Sequence, residues 1–189
     1  MWSSEVTNMI ITGIWETLYM TLVSTLVGYV IGLPMGILLT VTDKDGIHPN
    51  AAVYKVLDVI ANLIRSVPFL ILLIVLIPFT RFLIGRSYGP TATIVPLVIA
   101  AAPYIARMVE SSLKEVDAGV IEAARSMGAS NFTIVTKVML VEARTSLIVG
   151  ATISLGTILG YSAMAGTVGG GGLGDIAIRY GYTRWQTSD

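Results

Sequence analysis

Residues 17–42 read TLYMTLVSTLVGYVIGLPMGILLTVT, 26 positions without a single Asp, Glu, Lys or Arg. About 20 mostly apolar residues suffice for a helix to cross roughly 30 Å of hydrocarbon. This stretch alone therefore predicts a membrane span, and with it an all-α fold. Three more charge-free stretches follow at 66–80, 87–106 and 145–174. The third and fourth are long enough to span unaided. The 15 residues of 66–80 need their flanks, Ala61-Asn62-Leu63-Ile64 below Arg65 and Phe82-Leu83-Ile84 above Arg81, with the two arginines snorkelling or facing protein. The sequence thus predicts four transmembrane helices. Composition agrees: of 189 residues, 54% are hydrophobic and 13% charged, and the mean hydropathy is +0.78, far from a soluble domain.

The first 15 residues carry no basic n-region and no small-residue cleavage site, so the first span is expected to stay in the mature chain. With the N-terminus outside, eight of the twelve Lys and Arg residues fall on the cytoplasmic side, as the positive-inside rule prefers. The connection at about 107–144 is then cytoplasmic and the segment at about 165–189 forms an outer loop, all within one transmembrane domain over 1–189.

Charge and composition exclude several functions. Twelve basic residues balance twelve acidic ones, which leaves no basic footprint for nucleic acid. Without Cys, and with His48 alone in a polar turn, thiol catalysis and Cys- or His-clustered metal sites have no residues to build them. No carboxylate, Lys or His falls inside spans one, three or four as drawn, so neither membrane catalysis nor an ion-coupled carrier is indicated. The energy source should lie in another polypeptide. Gly169, Gly171 and Gly174 match the letters of a dinucleotide-binding fingerprint but follow an apolar span instead of a strand, so a tight turn or close backbone approach is the expectation.

Small residues at spacing four mark helix packing in lipid, where hydrophobicity drives no association. Gly28, Gly32 and Gly36 form such a row in span one; Ser146-Gly150-Ser154 and Gly156-Gly160 form others in span four. Each is expected to be a buried helix face, packed within the chain or against a second copy. Pro34 and Pro68 imply kinks.

The 107–144 connection has helical organisation of its own. Asp117 can cap a helix whose Val116, Val120, Ala124 and Met127 lie near one stripe, with Gly128 placed to end it. Ser130 can cap a second helix carrying Phe132, Val135 and Met139. A short amphipathic helix displayed this way suits a groove on a partner.

These residues also carry a resemblance. Glu122-Ala123-Ala124, then Gly128, then Val138-Met139-Leu140-Val141 resembles the EAA loop of bacterial ABC-importer permeases, with Val141 where the pattern has Pro. Arg65-Ser66-Val67-Pro68-Phe69, Ala102 through Glu110, Gly160 through Met164, Gly172-Leu173-Gly174 and Tyr180-Gly181-Tyr182 resemble the methionine-transporter family of these permeases over nearly the whole chain. The resemblance implies a type I ABC importer transmembrane domain in the bacterial inner membrane, with a fifth span expected beyond Asp189. It implies a non-enzymatic subunit that carries D- and L-methionine by alternating access. The implied partners are a second copy of the chain, an ATPase dimer that holds ATP and magnesium, and an extracytoplasmic substrate-binding lipoprotein; the chain itself needs no cofactor. Glu122, Ala123, Ala124 and Gly128 would couple to the ATPase, and Tyr161, Ser162 and Met164 would line or gate the pathway. Another amino acid as substrate, or a membrane scaffold or channel subunit without ATP coupling, is the alternative.

Overall fold

The computed structural model describes residues 4–183, and every regular element among them is helical. Helix α1 (Ser4–Thr42) takes in the whole first charge-free stretch and begins 13 residues before it, at about 1.5 Å per residue a rod of roughly 58 Å. Pro34 lies inside α1 without ending it. Helices α2 (Ala51–Ser66), α3 (Phe69–Val75) and α4 (Ile77–Ile84) follow, then α5 (Pro90–Lys114) and α6 (Ala118–Ser126). A turn of α7 (Asn131–Thr133) continues into a π-helical stretch, Ile134–Met139, and α8 (Leu140–Glu142) leads to α9 (Arg144–Ala165). After a 3₁₀ turn at Gly166–Val168 come α10 (Gly172–Ile176) and a π-helical stretch at Ala177–Thr183.

Three helices, Ser4–Thr42, Pro90–Lys114 and the Arg144–Val168 stretch, are long and apolar enough to cross a membrane alone. The second expected span is different. A single helix from Ala61 to Ile84 does not form: α2 and α3 meet at a bend of 101°. The cause is Pro68, which adopts φ −54°, ψ 135° ahead of α3, lacks an N–H, and disfavours helical geometry at Val67. A second interruption at Leu76 starts α4, where Pro78 sits in the first turn and needs no donor. The kink expected at Pro68 is thus a full break. The connection between spans three and four is also shorter than 107–144, because Arg107, Glu110 and Lys114 continue α5.

The chain divides into two compact units, one from the described residues of Met1–Val27, Val67–Ala101 and Leu155–Asp189, the other from Gly28–Ser66 and Ala102–Ser154. In the second unit, α1 meets α5 along its glycine row. Gly28, Gly32 and Gly36 are buried. A Cβ on Gly32 would fall 2.6 Å from the Ala102 carbonyl oxygen and 2.8 Å from Ile105 Cβ; one on Gly36 would meet Ala106 O at 2.6 Å and Val109 Cβ at 2.7 Å. No real side chain fits there, so the row faces the chain's own α5. The Ser146-Gly150-Ser154 row does likewise: Ser146 Oγ donates to Ser112 Oγ at 3.0 Å, and Gly150 faces Met108.

In the first unit the turn at 169–172 closes on α1. Gly169, Gly171 and Gly172 have φ of 76°, 83° and 75°, the left-handed region that favours glycine. The Gly172 amide donates to the Glu16 carboxylate at 2.7 Å and the Leu173 amide to Thr17 Oγ1 at 2.9 Å. A Cβ on Gly172 would press on Thr17 Oγ1 at 2.6 Å. The expected close backbone approach is therefore present, and Glu16 is an acid inside a spanning helix that the charge-free boundaries miss.

One packing expectation fails within the chain. Gly156 and Gly160 are exposed, and nothing lies within 4 Å of a Cβ placed on either. The physical reason is rotation about α9: Ser154, Ile158 and Ser162 face inward at spacing four, which turns residues 156 and 160 away.

Candidate functional site: the α5–α9 connection and the α9 aromatic step

Helix α6 starts where Asp117 supplies the missing acceptor, its Oδ1 taking the Gly119 amide at 2.7 Å. It ends in a glycine cap. The Met127 amide donates to Ala123 O at 3.1 Å, the Gly128 amide to Arg125 O at 3.0 Å and the Ala129 amide to Ala124 O at 3.1 Å, with Gly128 at φ 79°. This is the reversal that a left-handed residue after a helix permits. Ser130 then caps α7 by accepting the Thr133 amide at 3.2 Å. Both caps and the terminating glycine lie where the sequence places them.

The apolar stripe does not. Ala124 is 5% exposed and packs against its own chain, whereas Val120 and Met127 are exposed, Met127 to 81%. Ala123 and Glu122 are exposed too. Phe132, at the start of α7, is 77% exposed as well. Of the four residues expected to meet an ATPase, Glu122, Ala123 and Gly128 are exposed and Ala124 is turned inward. From α6 the Arg125 guanidinium donates to the Ile47 carbonyl, in the turn between α1 and α2, at 2.8 Å. A cleft of about 630 Å³ lies here, lined among others by Asp43, Ile47, Lys114, Glu122 and Arg125.

Beside this cleft runs a chain of charges that the sequence reading passes over. Glu110, buried, accepts from Arg107 and Lys114; Arg107 also pairs with Asp58, and Lys114 with Asp43. Lys114, donating to Asp43 at 2.7 Å, holds that carboxyl below the usual carboxylate range, with burial opposing. The visible signal is Arg107-x-x-Glu110-x-x-x-Lys114, spacings of three and four that set charges on one helix face.

On α9 the three residues expected at the pathway separate. Tyr161 stacks on Phe69 with ring centroids 4.6 Å apart and planes within 5°. Ser162 is buried and spends its hydroxyl on the Leu159 carbonyl at 2.7 Å, leaving little for a solute. Met164 is 46% exposed. Phe69 begins α3 just past the Pro68 break, so the stack ties that break to α9. Among the described residues no three of His, Asp or Glu come together as a metal site.

Comparison with known proteins fits this architecture. Residues 28–184 match the family described as the binding-protein-dependent transport system inner membrane component. The chain is 47% identical over 185 residues to a probable D-methionine transport system permease protein of Vibrio cholerae, covering 98% of this chain and 82% of the relative. It is 54% identical over 158 residues to the Escherichia coli D-methionine transport system permease protein, covering 84% and 73%. A solved structure of the MetNI methionine ABC transporter in an inward-facing conformation superposes with a TM-score of 0.96 at 51% identity, over 99% of this chain and 87% of that one. An amino acid ABC transporter solved with histidines matches at TM-score 0.77 and 23% identity, a likeness of fold. The three long helices, the broken pair at Pro68, the capped α6 ending at Gly128 and these matches together place the chain in the binding-protein-dependent transport system inner membrane component family.

Proposed function

We propose that this chain is the permease subunit of an ATP-driven importer for methionine, and that α6 is the point at which a separate ATPase drives it. The observation that carries the reading is its likeness to the methionine transporter permease, a TM-score of 0.96 over 99% of the chain. In this reading two copies form the pathway, an extracytoplasmic lipoprotein delivers the substrate, and the ATPase pair holds ATP and magnesium. The N-terminus lies outside and α6 in the cytoplasm.

The geometry supports a mechanical role for α6. Its open side offers Val120, Ala123 and Met127 to an apolar groove. Glu122 is free to make a charge-assisted hydrogen bond to a donor on the ATPase. Nucleotide moves the permease only through its differential affinity for the inward- and outward-open states. Met164, exposed on α9, is the residue of the three best placed to meet a solute; Tyr161 positions the wall through Phe69.

The test is uptake of labelled L- and D-methionine into vesicles holding this chain, its ATPase and its binding protein. Uptake that requires ATP and competes with unlabelled methionine is expected. Flux without ATP would favour a channel, and ATP-driven flux of another amino acid alone would reassign the substrate.

A further inference from the structure

The charge chain beside α6 has no evident part in docking an ATPase, yet it is built with some care. Glu110 is 5% exposed, and its carboxylate accepts from Arg107 Nη1 at 2.7 Å, Lys114 Nζ at 2.8 Å and the Tyr54 hydroxyl at 3.4 Å. Arg107 donates onward to the Asp58 carboxylate and to the Asn62 amide oxygen, the latter at 3.0 Å, both on α2. Lys114 reaches Asp43, in the turn that follows α1, at 2.7 Å. One buried acid on α5 therefore ties α2 to one side and the α1–α2 turn to the other.

That same turn holds α6 through Arg125 and Ile47 at 2.8 Å. The turn is itself stiff: the Gly46 amide donates to Asp43 O at 2.9 Å, His48 to Val41 O at 3.0 Å and Asn50 to Thr42 O at 2.9 Å. A displacement of α6 thus enters a short, hydrogen-bonded turn whose far side is clamped to Glu110. Leaving the buried Glu110 charge without its partners is strongly unfavourable, so the clamp resists being opened.

Building on the reading of α6 as the ATPase contact, we propose that Glu110 is a positioning residue at the centre of an ionic brace, Asp43–Lys114–Glu110–Arg107–Asp58, that transmits α6 motion to α1 and α2. The brace sets how much solute moves per ATP hydrolysed. It does not set whether the ATPase binds or hydrolyses.

The experiment measures ATP hydrolysis and methionine uptake in the same vesicles, with the chain assembled on its ATPase and binding protein. Glu110→Gln keeps the shape and removes the charge. The ATPase should co-purify and hydrolyse ATP within about twofold of wild type, while uptake per ATP falls by about 2- to 30-fold. Asp43→Asn should give a smaller fall and Asp43→Glu should recover at least half of it. Unchanged uptake per ATP in assembled Glu110→Gln overturns the brace, as does a fall in uptake that only tracks lost assembly. If Glu110→Gln does not fold, the Asp43 pair decides: equal uptake per ATP in Asp43→Asn and Asp43→Glu overturns it. A wild-type chain that never binds the ATPase through α6 overturns the underlying reading, and the brace with it.

Discussion

Two glycine rows look alike in sequence and behave differently in the fold. Gly32 and Gly36 on α1 press against the α5 backbone, where even a methyl has no room. Gly156 and Gly160 on α9 face open space at the same spacing. Spacing alone therefore marks a face that could pack; what packs there depends on helix rotation and on the partner opposite. Ala102 and Ala106 on α5 supply the complementary small surface that α9 lacks at 156 and 160.

The largest expected effect is at the tight row. Gly32→Leu must push α1 from α5, and overpacking on this scale costs about 3 kcal/mol or more. Loss of folded protein on size-exclusion chromatography in detergent is expected, and a normal yield and melting temperature would show that α1 and α5 do not meet there. Gly36→Ala adds only a methyl against Ala106 O and Val109, so a loss of about 1–3 kcal/mol in thermal unfolding should follow. Gly128 sits between the extremes. Its Cβ would touch nothing, but φ is 79°, so Gly128→Ala should cost about 1–2 kcal/mol through backbone strain alone and lower ATP-driven uptake by loosening the end of α6. Equal stability and uptake in that variant would mean the left-handed cap is not formed.

At the open row Gly156→Ala and Gly160→Ala should be neutral or gain up to about 1 kcal/mol from helix propensity. If either instead lowers uptake or dissociates the assembled complex, the face is covered by another chain, and the contrast between the rows becomes one between intrachain and intersubunit packing.

The smallest effect concerns pH. The Asp43 carboxyl is lowered by Lys114, so its pairing stabilises the fold above the ordinary carboxylate range and is lost as pH falls through the lowered value. The melting temperature of Asp43→Asn should lie below wild type at neutral pH, and the gap should close in acid. A gap that stays constant with pH would place the effect of the substitution elsewhere.

How legible all this is in sequence depends on the range of the interaction. The caps at Asp117 and Ser130, the stop at Gly128 and the glycine turn at 169–172 follow from local chemistry and appear where the residues suggest. The break at Pro68 is signalled too, but its 101° size is not. The tie of α6 to the α1–α2 turn is not legible, since Arg125 and Ile47 are 78 positions apart. The ionic brace is half visible: 107, 110 and 114 share a face by spacing, while Asp58 comes from 49 positions away. Glu16 lies one residue outside the charge-free stretch, and its role appears only when Gly172 arrives from 156 positions on.

The central claim is that the open side of α6 is where an ATPase engages this chain. Because the chain has no Cys, a single introduced thiol reports one position without background. Ala123→Cys and Ala124→Cys differ by one residue, yet Ala123 is exposed and Ala124 is buried. The measurement is maleimide labelling of each, alone and assembled with the ATPase. The account predicts that Ala123→Cys labels freely alone and is protected on assembly, while Ala124→Cys labels poorly in both. Equal labelling of Ala123→Cys with and without the ATPase would contradict it.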